Sequence, residues 1–89
     1  MTNPGRDVSE TEKRLWRRVK QEYFENDLDP KRDTIPVVRI AAQELPIHEE
    51  RARQFVRTWS NEGLVVTAAH GDANYIRLTD AGIRHSFED

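Results

Sequence analysis

The chain has 89 residues, of which 36% are hydrophobic and 34% charged, with a formal net charge of -2 and no cysteine. A chain this short buries about 60 to 65% of the surface it exposes when unfolded, which leaves room for one core and excludes a cleft between two lobes. The missing cysteine excludes disulfide staples, thiolate nucleophiles and cysteine-based zinc sites, and the net negative charge argues against a generic polyanion binder.

No apolar run approaches the roughly 20 residues of a membrane span, and MTNPGRDVSE lacks the residue order of a signal peptide. The expectation is a cytoplasmic protein with a flexible segment over residues 1–8 and a single domain over 9–89.

In VSETEKRLWRRVKQEYF, Ser9 followed by Glu12 has the capping-box spacing and predicts the start of a first helix. Leu15, Trp16, Val19 and Tyr23 form one apolar stripe, flanked by Lys13, Arg14, Arg17, Arg18 and Lys20, which read as solvated margins rather than a nucleic-acid surface. The polar ENDLDPKRDT predicts a stop near Glu25 to Asp27 and a loop in which Leu28 tucks back onto the core. TIP predicts an edge strand of two or three residues.

VVRIAAQELPI predicts a short helix over Val37 to Glu44, with Ile40, Ala41 and Leu45 inward, ended by Pro46. A third helix is expected from about His48, with Glu49 and Glu50 in the first turn where the helix dipole favours negative charge. Ala52, Phe55, Val56 and Trp59 share one arc of it, whereas Glu50, Arg53, Gln54, Arg57 and Asn61 project from the other side. Gly63 is placed as a left-handed C′ residue, with Leu64 against Trp59. Residues 64–69 and 75–78 then alternate as an antiparallel pair joined by HGDAN, and Thr79 caps a last helix on which Ile83 and Phe87 face inward.

The order of helix, short strand, helix, tight turn, helix, hairpin and helix resembles a winged helix-turn-helix domain, over roughly Ser9 to Phe87. The resemblance is most specific where WSNEGLV is joined to YIRLTDAG, and AAQELPIHEERARQFVRTW matches the spacing of the family's two-helix unit. The chain departs from the family in carrying Pro46 where glycine is common in the turn and His48 where Ser or Thr commonly caps the third helix.

The resemblance implies an α+β, mostly α fold with a three-helix core, a hairpin wing and a C-terminal helix. It also implies a small DNA-binding transcriptional regulator. Double-stranded DNA is then the partner, with the third helix in the major groove. Arg53, Gln54 and Arg57 are the implied readers of base edges, joined by Glu50 as an acceptor for cytosine N4. Arg39, Arg51 and Thr58 are the implied phosphate contacts, and His70, Asn74 and Arg77 the wing contacts. Two half-sites imply a homodimer through helix 1 or the C-terminal helix.

The ordinary alternative for Arg53 and Arg57 is a solvated face paired with Glu49 and its neighbours. An acidic overall charge and a wing carrying Asp72 fit a second class of function, a winged helix that docks a protein partner instead of DNA. His48, His70 and His85 sit on separate elements without metal-ligand spacing, and there is no nucleophile-base arrangement or phosphate-cradling loop. Neither an enzyme nor a cofactor is expected.

Overall fold

The computed structural model describes residues 8–67 and 73–87, and all statements below concern those residues. They form an α+β fold, mostly helical, with four helices and one two-stranded antiparallel sheet. The elements are α1 (Glu10–Glu25), α2 (Val37–Glu44), α3 (Glu49–Asn61), β1 (Val65–Thr67), β2 (Ile76–Leu78) and α4 (Asp80–Arg84). None of the helices is long and apolar enough to cross a membrane.

Helix α1 starts where the Ser9 side chain accepts from Glu12 N at 3.1 Å. Its stripe of Leu15, Trp16, Val19 and Tyr23 is buried as expected. Glu12 is buried as well, at 3% exposure, and its carboxylate accepts from Trp59 Nε1 at 2.7 Å. Glu12, whose N–H the Ser9 cap accepts, is therefore also a core residue, because burying an indole N–H requires an acceptor and α1 supplies one.

The charged margins of α1 are also more than solvated flanks. Arg18 is held by Glu22 at 2.9 Å and by Glu44 of α2 at 2.7 Å, and the hydrogen bond it donates to Glu44 is the main reason its pKa is raised. Lys20 donates to the carbonyls of Ile83 at 2.9 Å and His85 at 3.0 Å, so its ammonium caps the C-terminal end of α4. Burial lowers its pKa.

The loop after α1 turns at Asp27, with φ 54°, and brings Leu28 onto the core. The expected edge strand shrinks to a single bridge, in which Ile35 and Ile76 exchange backbone bonds of 2.9 and 3.1 Å. Tyr23 secures this region: its hydroxyl lies 2.8 Å from Asp33 O and 3.1 Å from Ile76 O. Burial raises the phenol's pKa above its ordinary value of 10.0. The unfolded chain then ionises first, so this contribution is present below about pH 10 and is lost as pH rises further. Tyr23→Phe is expected to cost about 1 to 2 kcal/mol at neutral pH and to flatten the loss of stability above pH 10, both measurable by urea unfolding across pH.

Pro36 and Pro46 bracket α2, which covers Val37–Glu44 as predicted. The turn into α3 closes with Leu45 N and Ile47 N both donating to Ala41 O. His48 replaces a hydroxyl cap by accepting from Glu50 N through Nδ1 at 3.1 Å. Ala52, Val56 and Trp59 are buried along α3, and Phe55 is partly buried, with its ring stacked near Trp59 at 6.3 Å. The Trp59 ring also meets Trp16 edge-on at 4.9 Å, which joins α3 to α1 at the centre of the core.

The stop of α3 is a complete Schellman motif. Leu64 N donates to Trp59 O at 2.9 Å, Gly63 N to Ser60 O at 3.1 Å, and Gly63 has φ 80°. Because Leu64 completes this turn, the strand begins at Val65, whose side chain is buried while Val66 faces out. Val65 pairs with Leu78, Val66 with Arg77 and Thr67 with Ile76. The second strand begins at Ile76, one residue later than expected, and the expected strand end at 68–69 and most of the HGDAN loop lie outside the described residues.

Thr79 closes the fold. Its hydroxyl accepts from Gly82 N at 3.0 Å as the α4 cap and donates to Gly63 O at 2.6 Å, and its N–H donates to Leu64 O at 3.1 Å. The helix ends at Arg84, so Phe87 lies beyond it. Phe87 still packs on the core, with its ring 5.5 Å from that of Trp16.

Candidate functional site

The surface that the sequence singles out is the outer face of α3 together with the returning arm of the hairpin. Amphipathic spacing turns Ala52, Val56 and Trp59 inward, so Glu50, Gln54 and Arg57 are exposed on the opposite side. Arg53 lies at the edge between the two faces. Its Nε donates to Asn74 Oδ1 at 3.1 Å, and its terminal nitrogens lie 3.5 Å from both Glu49 and Glu50.

This contact brings together two of the expected site residues across 21 positions of sequence, joining the hairpin to the start of α3. Arg57 is more available: its side chain is 56% exposed and reaches Glu50 at 3.4 Å. Glu50 therefore bridges both arginines. Exposed pairs of this kind are worth at most about 1 kcal/mol each, so an incoming anion can displace them at small cost.

The remaining expected residues are placed variously. Arg51 is exposed and its guanidinium lies over the Phe55 ring at 5.3 Å. The Thr58 hydroxyl donates to Gln54 O at 3.0 Å within the helix. Arg77, an implied wing contact, turns to the loop after α1 and donates to Lys31 O at 3.1 Å. His70 and Asp72 lie outside the described residues.

Arg39 is exposed on α2 and lines a groove of about 360 Å³ with Gln43, Glu49, Arg53, Asn74 and Tyr75. The groove runs between α2, the start of α3 and the hairpin. Gln43 and Tyr75 were not singled out by sequence reasoning. Tyr75, 42% exposed, had a signal in its outward position in the strand alternation, but its meeting with Arg39 and Arg53 depends on tertiary packing.

Chemically the surface offers planar guanidinium donors, the amide side chains of Gln43, Gln54 and Asn74, and the carboxylates of Glu49 and Glu50. Along α3 the arginines at 51, 53 and 57 face the glutamates at 49 and 50, a local excess of one positive charge. It can donate hydrogen bonds to a flat polar edge and attract anions weakly. Compared with protein-family models, with curated proteins and with solved structures, the chain finds no match.

Proposed function

We propose that the chain is a winged helix-turn-helix domain that binds double-stranded DNA and acts as a small transcriptional regulator, with α3 reading the major groove. The observation that carries the reading is the Arg53–Asn74 contact, which makes the exposed face of α3 and the hairpin one continuous surface. Gln54 and Arg57 are its exposed donors, suited to adenine and guanine edges respectively. Arg53, held on three sides, supports the surface and reads bases only after leaving Glu49 and Glu50. Arg39 and Arg51 are assigned to phosphates.

The two phosphate contacts, from Arg39 and Arg51, set the salt response. Duplex affinity is expected to fall roughly 12-fold between 50 and 200 mM salt, from a slope of about -0.9 per neutralised phosphate. Glu50→Gln is expected to raise affinity for mixed-sequence duplex several-fold, by removing both a repulsive charge and the competitor for Arg53 and Arg57. Fluorescence anisotropy on a labelled duplex measures both. A salt-independent signal, or weaker binding by Glu50→Gln on every duplex, would count against the proposal.

The second reading, a winged helix that docks a protein partner, is favoured by Glu50, which bridges both arginines in the free chain. It predicts no duplex affinity at any salt concentration and a partner contact that high salt leaves largely intact.

A further inference from the structure

Asn74 is placed by the core rather than by the loop it belongs to. Ala73 before it and Ile76 two residues after it are buried, and Ile76 is tied to Ile35 through both of its backbone groups. The carboxamide therefore meets Arg53 from a fixed base.

An arginine side chain only donates, so the 3.1 Å contact from Arg53 Nε makes the Asn74 oxygen its acceptor. The Nε edge of the guanidinium is then occupied, and the edge formed by its two terminal nitrogens is the one left for a ligand. Glu49 and Glu50 hold that edge at 3.5 Å, against 2.7 Å for the Arg18–Glu44 pair, so a closer acceptor can replace them without disturbing Nε. Arg57 differs, since its side chain is 56% exposed where that of Arg53 is 30% exposed.

We propose that Asn74 is a positioning residue for base readout, holding Arg53 so that its two terminal nitrogens meet O6 and N7 of one guanine. The inference rests on the reading of α3 as a major-groove helix, and it gives Asn74 a task other than touching DNA. A guanidinium oriented before binding loses little freedom at a guanine, whereas at another base the paired bonds are not made and the orientation brings no gain. Asn74 thus sets the preference at one base pair.

The test is selection from random duplexes by the natural chain and by Arg53→Ala, Asn74→Ala and Asn74→Asp, with arginine Nε–Hε exchange followed by NMR on the same chains without DNA. Arg53→Ala marks the base pair that Arg53 reads. There Asn74→Ala should lower the guanine preference about threefold to tenfold, the equivalent of immobilising one rotamer-rich side chain, and at other base pairs far less. Asn74→Asp keeps an oxygen acceptor in place and should retain that preference, although its charge weakens binding to every duplex. In the free chain, Arg53 Hε should exchange slowly, faster in Asn74→Ala and slowly again in Asn74→Asp.

A motif that Arg53→Ala leaves unchanged, or a guanine preference that Asn74→Ala leaves intact, would overturn the inference alone. So would an equal loss at every base pair, which marks a loosened hairpin. Unchanged Hε exchange in Asn74→Ala would overturn it without reference to DNA. A natural chain that selects no motif fails the DNA reading itself, and the inference falls with it.

Discussion

Gly82→Ala is expected to remove about 3 kcal/mol or more of stability, a large share of the roughly 4 to 13 kcal/mol available to a chain of this length. A Cβ built on Gly82 falls 2.0 Å from Leu64 O and 3.0 Å from Leu64 C, both backbone atoms. A flexible side chain could rotate away, but this carbonyl cannot. It belongs to the turn that stops α3, and it accepts from Thr79 N. Relief therefore requires α4 to move off the hairpin, which also withdraws Thr79 from Gly63 and Lys20 from its carbonyl partners.

The expected fall in thermal midpoint is roughly 12 to 24 °C, at about 4 to 8 °C per kcal/mol for a domain of this size. Gly63→Ala is the informative comparison. Nothing lies within 4 Å of its hypothetical Cβ, so only the left-handed φ of 80° is penalised, by about 1 to 2 kcal/mol. Equal losses from the two variants, measured by calorimetry, would contradict the close-approach argument.

Glu12→Ala is expected to cost about 2 to 3 kcal/mol, since it leaves the Trp59 indole N–H buried without its acceptor. Trp59 is completely buried and Glu12 nearly so, which leaves little access for a replacement water. Glu12→Gln keeps an amide oxygen in place and should cost about 1 kcal/mol, the difference between a charge-assisted and a neutral bond. In a double-mutant cycle with Trp59→Phe, the coupling energy should lie at about 1 to 3 kcal/mol. Strict additivity would show that Glu12 contributes only through the α1 cap.

Much of the local architecture was legible because single residues punctuate it. Ser9 starts α1, Pro36 precedes α2, Gly63 stops α3 and Thr79 starts α4, each through a local hydrogen bond or a restricted backbone dihedral. Such signals act within a few positions, so sequence order is enough to read them. What stayed hidden depended on distant partners.

Glu12, Arg18 and Lys20 all resemble solvated helix residues, yet they reach Trp59, Glu44 and the end of α4 across 47, 26 and more than 60 positions respectively. The shape of the hairpin was hidden for a related reason. Leu64 serves the helix stop, which delays the strand by one residue and selects Val65 for the buried face. At the candidate site, the alternation of α3 identified the outer face, but not that Asn74 would fix Arg53 or that Glu50 would bridge two arginines.

The central claim, that the outer face of α3 reads DNA, is tested most directly by selection from random duplexes at low and high salt, using the natural chain and a chain carrying Arg53→Ala and Arg57→Ala. The account predicts an enriched motif for the natural chain that weakens at high salt and is lost or altered in the double variant, with each bidentate arginine–guanine pair contributing about 1 to 3 kcal/mol of discrimination. Enrichment of no motif, or of the same motif by both proteins, would contradict it.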